Sequence, residues 1–167
     1  MVKTILLIAL GILAVFVVIT LIRAVFFKSE APVSEEFADE AVNSDRAQKN
    51  LSDAIKIKTI SHADDSETDW GKFEKFHEFL KISYPLVHKN LSVEKVSAAS
   101  LLYFWQGSDE SLDPIAFLAH QDVVPISEGT EGDWEHPPFE GYNDGEFIWG
   151  RGALDMKNHL ISLMESV

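Results

Sequence analysis

Hydrophobic and polar positions along the chain divide it into three regions. The first contains an apolar run from Ile5 to Ile22 with no charged residue. At about 1.5 Å per residue, a helix of this length crosses most of the hydrocarbon core of a bilayer. Residues 29–45 are acidic and poor in large apolar side chains, which favours a solvated linker. Residues 46–167 hold the remaining apolar segments and are predicted to form the folded part.

The apolar run predicts a transmembrane signal anchor over residues 1–28, because the apolar region of a secretory signal is typically only about 7–15 residues long. A long signal peptide is the alternative, but no A-x-A-like cleavage site follows Arg23. Basic residues flank the run on both sides, so the positive-inside rule does not fix its orientation. We expect a single-pass membrane protein whose folded part is extracytoplasmic or lumenal.

Three segments of the folded part have the spacing of amphipathic helices. Leu51, Ala54 and Ile55 predict a helix over 46–57, with Ser44 and Asp45 as candidate caps. Aromatic residues predict a second helix over 70–81, in which His77 is expected to pack against the core rather than to bind a ligand. A third helix is expected to start just after Asp155 and to run to the C-terminus.

Strand patterns lie between these helices. The segment SLLYFW at 100–105 is rich in aromatic residues, and the continuous apolar run IAFLA at 115–119 is typical of a strand covered on both faces. Asn143-Asp144-Gly145 stands between two segments with strand propensity and predicts a hairpin. The fold class expected from these elements is α/β, a mixed sheet flanked by helices and preceded by one transmembrane helix.

Composition narrows the chemistry that this chain can perform. Its formal net charge is −13, so we expect no nucleic-acid partner, because phosphate binding needs clustered Lys and Arg. It contains no cysteine, which excludes disulfides and thiolate metal sites. Any metal must therefore be held by histidine and carboxylate side chains.

His120 and Asp122 follow the IAFLA run and are the first candidates for such a site. Two residues apart on a strand, they point to the same side. Imidazole is the commonest protein ligand for metals, and a ligating histidine usually donates its other N–H to a carboxylate. A surface histidine beside an aspartate in a turn is the simpler alternative, which the triplet alone does not exclude.

Asp155 is the second candidate carboxylate. An aspartate at the start of a helix is commonly an N-cap, so its position alone does not indicate a metal ligand. Gly150 and Gly152 precede it, and glycines allow the unusual backbone angles of a loop that turns a carboxylate inward.

Three motifs in order carry a family resemblance: HQDVVP at 120–125, WEHPPF at 134–139 and DGEFIWGRGALDMK at 144–157. Together they resemble the amino-terminal part of the co-catalytic zinc family that includes carboxypeptidase S, aminoacylase and succinyl-diaminopimelate desuccinylase. The resemblance extends from about Leu51 to Val167. It implies that residues 46–167 form the amino-terminal part of a zinc exopeptidase-like catalytic domain.

The resemblance also implies roles for the candidate residues. His120 would bind one zinc ion, Asp122 would act as the catalytic residue that orients His120, and Asp155 would bridge two zinc ions. The complete protein would hydrolyse an amide bond next to a free carboxylate, in a small peptide or an N-acyl amino acid. It could also form a homodimer. Met156 departs from the family pattern, because many members carry a second aspartate there.

Further residues that the family requires are not found among the 167. These are a general-base glutamate, additional carboxylate ligands and a late histidine, and Glu165 comes too early to match them. We therefore expect a truncated catalytic domain that is inactive by itself. The alternative is a non-catalytic, membrane-tethered remnant or binding module.

Overall fold

The computed structural model describes residues 2–27 and 43–167, which belong to two separate compact units. The first unit contains helix α1, Val2–Val25, with a mean hydropathy of 3.3. Its length and composition allow it to cross a membrane, and a signal sequence near the N-terminus would have the same properties. Most of the expected acidic linker, residues 29–42, lies outside the described residues.

The second unit begins with α2, Ser44–Lys56, two residues before the sequence-based boundary. Its N-cap is Asn43, whose side chain accepts a hydrogen bond from the Arg46 amide at 3.0 Å. The proposed caps Ser44 and Asp45 instead lie inside the helix. Asparagine fills the cap because its side-chain oxygen satisfies an amide that has no partner within the first turn.

Helix α3, Trp70–Ser83, confirms the second predicted helix and is capped by Asp69. It is followed by the short helix α4, Pro85–Asn90, which starts with proline, a residue suited to the first helical position. Helix α5 covers Asn158–Glu165. It begins three residues after Asp155, later than predicted, because Asp155 and Met156 have non-helical backbone angles.

One hydrophobic core joins these four helices. Its largest fully buried side chains include Phe76 and Leu80 of α3, which pack with Ala54 of α2. Helix α5 contributes Ile161 and Met164, and Leu160 packs at the margin of the core. The amphipathic pattern of each helix therefore supplies one side of a shared apolar interior.

Two separate antiparallel sheets of two strands each accompany the helices. Strand β1, Ser92–Val96, pairs with β2, Ser100–Phe104, so the predicted strand at 100–105 is confirmed and its partner was missed. Strands β3, Tyr142–Asn143, and β4, Ile148–Trp149, form the hairpin expected around Asn143-Asp144-Gly145.

The predicted buried strand at 115–119 was wrong. Residues 115–119 belong to neither sheet, and Ile115, Phe117 and Leu118 are exposed by 73–81%. Across the described ranges, the only parallel pairing is an isolated bridge between Ile60 and Val123, so the expected mixed sheet is absent there. A strand requires a neighbour for its backbone groups, and no described segment pairs with 115–119.

Candidate functional site

The segment that carries His120 and Asp122 is fixed by residues 59–61 alongside it. The Val123 amide donates to the Thr59 carbonyl at 2.8 Å, and the Ser61 amide donates to the Val123 carbonyl at 3.1 Å. The Thr59 hydroxyl, which is fully buried, donates to the Gln121 carbonyl at 2.6 Å. These bonds fix the backbone at both sides of Asp122.

His120 lies between two carboxylates. Its Nε2 is 3.0 Å from Oδ1 of Asp155, a residue 35 positions away in sequence. Its Nδ1 is 3.0 Å from the carbonyl oxygen of Asp122 and 3.3 Å from the carboxylate Oδ1 of the same residue. The structure therefore brings all three sequence-predicted site residues together.

These contacts set the protonation of His120. Partial burial by itself lowers the pKa of His120, but the hydrogen bond to Asp155, the hydrogen bond to the Asp122 carbonyl and the two negative charges outweigh it. The net result is a pKa raised above the ordinary value of 6.5. Nearby anions favour the charged imidazolium, as expected for a histidine between two carboxylates.

Asp155 reaches this position from an irregular loop, Ala153–Lys157, that leads into α5. Gly152 begins the loop with a φ of +86°, and a Cβ there would lie 2.6 Å from Cγ1 of Val123. The Lys157 amide donates to the Gly152 carbonyl at 2.8 Å and closes the loop. The Asp155 side chain is 86% exposed, so solutes have access to its carboxylate.

Lys157 fastens the other end of the same loop inside the protein. It is fully buried, and its Nζ donates to the carbonyls of Ala54 at 2.8 Å and Ile57 at 2.7 Å. The ammonium also lies 4.9 Å from the centre of the Phe76 ring. Burial lowers the pKa of Lys157 to about 7, against the opposing charge of Asp122.

The donor set can be compared with the requirements of zinc. Imidazole nitrogen and carboxylate oxygen are both zinc ligands, and two such atoms about 2.0–2.1 Å from one ion lie roughly 3.3 Å apart in a tetrahedral site. The 3.0 Å between His120 Nε2 and Asp155 Oδ1 is close to that spacing. Within 2–27 and 43–167, however, no group of three or more potential ligands could hold an ion. These residues therefore fit part of a metal site, because catalytic zinc normally has three protein ligands.

Several contacts around the site were missed from sequence. The Ser61 hydroxyl donates to Oδ2 of Asp122 at 2.5 Å, a contact that the sequence around Ser61 did not indicate. His77 Nε2 lies 3.0 Å from Oε1 of Gln121, a contact that the helical pattern did not indicate. The guanidinium carbon of Arg151 lies 5.2 Å from the centre of the Trp134 ring. The sequence around Arg151 did not indicate this partner.

The WEHPPF segment forms a second feature beside the hairpin. The His136 ring stacks on Tyr142 with centroids 4.1 Å apart and meets Trp149 edge-on at 5.2 Å. A cavity of about 300 Å³ adjoins it. The lining of this cavity does not include His120 or Asp155.

Comparison with known proteins assigns this chain to a family. Residues 116–167, which contain His120, Asp122 and Asp155, match the family model described as peptidase family M20/M25/M40. The chain is also 41% identical over 127 residues to carboxypeptidase S of Saccharomyces cerevisiae, a match that covers 71% of the chain and 22% of that relative. The chain belongs to the M20 family of metallopeptidases and aminoacylases, as a partial member.

Two further relatives of this M20 chain extend the match. The probable carboxypeptidase S-like 2 of Dictyostelium discoideum is 40% identical over 167 residues, which covers 95% of the chain and 31% of the relative. The N-fatty-acyl-amino acid synthase/hydrolase of Mus musculus is 41% identical over 119 residues, or 70% of the chain and 23% of the relative. The M20 chain therefore spans between about a fifth and a third of the length of these curated relatives.

Proposed function

We propose that the complete M20 protein containing these residues hydrolyses an amide bond next to a free carboxylate, in a small peptide or an N-acyl amino acid. The observation that carries this proposal is the 3.0 Å approach of His120 Nε2 to Asp155 Oδ1 within the region that matches the family. The relatives named as carboxypeptidases and as an N-fatty-acyl-amino acid hydrolase support the substrate class.

In this proposal, His120 and Asp155 would hold zinc in the complete protein. Bound zinc supplies Lewis-acid polarisation of the substrate carbonyl. Asp122 orients the imidazole, because its carbonyl and carboxylate oxygens both face Nδ1 and leave Nε2 directed at Asp155. Fixing one ring nitrogen in this way determines which nitrogen is free to ligate.

We further propose that residues 43–167 do not hydrolyse a substrate by themselves. The two ligand side chains leave an ion with fewer than the three protein ligands of an ordinary catalytic site. The general base and the remaining ligands would come from elsewhere in the complete protein. The 167-residue chain would then bind zinc weakly, because a partial ligand set gives a low affinity.

The ligand assignment is tested by Zn²⁺ binding to the 167-residue chain in lipid nanodiscs, using competition with a chromophoric chelator. His120→Ala and Asp155→Asn are expected to abolish measurable binding. His136→Ala is the matched control, because His136 stacks on Tyr142 and does not contact Asp122 or Asp155. This variant should keep the wild-type affinity for Zn²⁺. Unchanged binding in both site variants contradicts the assignment.

The activity is tested with the product of the complete open reading frame on a panel of dipeptides and N-acyl amino acids. Carboxypeptidase activity predicts release of C-terminal residues, whereas the acyl hydrolase activity predicts release of free fatty acid. The 167-residue chain is assayed in parallel and is expected to release neither. No hydrolysis of either substrate class by the longer product, under conditions where it binds Zn²⁺, contradicts the proposed activity.

We also propose that α1 is an uncleaved membrane anchor, with the folded part on the extracytoplasmic or lumenal side. Its 24 residues exceed the apolar length typical of a cleaved signal. Alkaline carbonate extraction and N-terminal sequencing of the expressed protein test this. Retention in the membrane pellet with the N-terminal segment intact is expected, and a mature chain that starts after α1 would show that the segment is a signal peptide.

A further inference from the structure

Ser61 contacts one of the proposed site residues but lies outside the residues that match the family model. That match begins at residue 116, whereas Ser61 lies in the segment that pairs with residues 121–123. The Ser61 hydroxyl donates to Oδ2 of Asp122 at 2.5 Å. It is 61 residues from Asp122 in sequence, so the contact depends on the tertiary fold.

The two oxygens of Asp122 therefore have different partners. Oδ2 receives the Ser61 hydroxyl, and Oδ1 lies 3.3 Å from Nδ1 of His120. The Ser61 bond restricts rotation of the carboxylate about its terminal torsion, which is otherwise a broad and soft coordinate. A rotated carboxylate would lose its approach to Nδ1, and the imidazole would lose one of the two groups that hold its ring.

The backbone around Ser61 is held by hydrogen bonds to residues 121–123. The Ser61 amide is fixed by the Val123 carbonyl, and Thr59, two residues earlier, bonds to both Val123 and Gln121. The hydroxyl is thus presented from a segment with three hydrogen bonds to the strand-like stretch that bears the site. Ser61 does not need to contact an ion or a substrate to influence the site.

We propose that Ser61 is a positioning residue, which holds the Asp122 carboxylate against His120 and so raises the affinity of His120 for zinc. This inference rests on the proposed function, in which His120 is a ligand. It predicts a chain of contacts from the Ser61 hydroxyl through Asp122 to His120, in which each group fixes the orientation of the next.

The test is Zn²⁺ affinity of the 167-residue chain in nanodiscs, by chelator competition. Ser61→Ala is expected to weaken binding about 10-fold, the lower end of the effect of outer-shell partners. Ser61→Thr keeps the hydroxyl and should restore affinity to within about 2-fold. Ser52→Ala is the matched control, because the Ser52 hydroxyl is also a half-buried donor but bonds to the Gly141 carbonyl. It should leave Zn²⁺ affinity unchanged.

A double-mutant cycle separates positioning from a general loss of structure. If Ser61 acts through Asp122, adding Ser61→Ala to Asp122→Ala should weaken binding by less than about 2-fold, because the carboxylate it holds is gone. The ring ¹⁵N resonances of zinc-bound His120 should shift in Ser61→Ala and return in Ser61→Thr. Ser61→Gly, which also removes the hydroxyl and adds no metal ligand, replaces Ser61→Ala if the latter fails to fold.

The outcomes distinguish the two proposals. Loss of Zn²⁺ binding in His120→Ala with wild-type affinity in Ser61→Ala overturns the role of Ser61 and leaves the ligand assignment intact. Equal, additive losses from Ser61→Ala with and without Asp122 also overturn it. If the 167-residue chain binds Zn²⁺ too weakly to measure, the same variants are measured in the complete protein, and a complete protein that takes up no Zn²⁺ overturns both proposals.

Discussion

The ammonium group of Lys157 donates to the carbonyl oxygen of Ala54 across 103 residues of sequence. Ala54 lies in the last turn of α2. A second bond goes to the Ile57 carbonyl. Each carbonyl also accepts a backbone amide, Ala54 from Ile57 and Ile57 from Thr59, so Lys157 adds a second donor to both. Lys157 thus fastens the loop of Asp155 to the end of α2.

Replacing Lys157 with methionine is expected to lower the free energy of unfolding by about 1–3 kcal/mol. Methionine retains the apolar stem but removes both hydrogen bonds from the ammonium group to these carbonyls. Urea unfolding of the chain in nanodiscs, followed by tryptophan fluorescence, measures the change. Lys81→Met, on the exposed side of α3, is the control and should stay within about 0.5 kcal/mol of wild type. Equal stability of the two variants would show that the Lys157 contacts contribute nothing.

Acid should destabilise the fold through Glu165. Burial alone raises the pKa of Glu165, but hydrogen bonds from Arg46 and Tyr84 outweigh it, and the pKa is lowered from 4.5. A carboxyl whose pKa is lower in the folded than in the unfolded state stabilises above the unfolded value, and that stability is lost as pH falls through the folded value. The free energy of unfolding should therefore decline below about pH 4.5.

Glu165→Gln removes this titration and should flatten the acid side of the stability profile relative to wild type. Glu78→Gln is a matched change at an exposed position of α3 and should retain the wild-type slope. The measurement is the urea midpoint between pH 3 and pH 7 for all three proteins. Parallel profiles for wild type and Glu165→Gln would contradict the role of the ion pair.

Gly152→Ala should destabilise the loop of Asp155 by more than the backbone strain of a positive φ alone. The added methyl group would lie 2.6 Å from Cγ1 of Val123 at a φ of +86°. Gly145 has a similar φ of +92° with no atom within 4 Å of its Cβ position, so Gly145→Ala isolates the backbone strain. That strain costs about 1 kcal/mol, whereas Gly152→Ala should cost roughly 1–3 kcal/mol more through overpacking.

Thermal unfolding of the two glycine variants gives the comparison. A larger drop in Tm for Gly152→Ala, together with weaker Zn²⁺ binding, is the expected result. Identical Tm values would show that Val123 moves aside without cost and that the close approach at Gly152 does not hold the loop.

The amides of residues 115–119 should exchange rapidly with deuterated solvent. In residues 43–167 they donate to no backbone carbonyl, whereas the Val123 amide donates to Thr59. Hydrogen exchange with mass spectrometry should therefore show peptides over 115–119 labelled within seconds and peptides over 50–56 of α2 protected. Slow exchange at 115–119 in this chain would show that the segment is paired as a strand.

Local sequence signals predicted the elements that depend on near neighbours. The period of Phe73, Phe76 and Leu80 indicated α3, and Asn143-Asp144-Gly145 indicated the hairpin. The prediction of a strand at 115–119 failed because an apolar run shows only that burial would be favourable. It does not show whether a neighbouring strand is present to receive its backbone groups.

The same distinction between local and long-range contacts applies to the candidate site. The spacing of His120 and Asp122 and the motif around Asp155 singled out residues that the structure brings together. Ser61 and Lys157 could not be identified, because each acts through a partner 61 to 103 residues away in sequence. A hydroxyl or an ammonium group gives no periodic signal, and its partner is determined only by the tertiary fold.

Helix α2 also has a consequence for biosynthesis. Its Asn50 side chain bonds to Glu165, its Ser52 to the Gly141 carbonyl and its C-terminal carbonyls to Lys157. Each of these partners leaves the ribosome at least 89 residues after the α2 residue that it contacts. Contacts of such high contact order cannot protect a nascent chain early. During translation, α2 can pack against α3 soon after both emerge, but these polar contacts form only once residues 141–165 have left the ribosome.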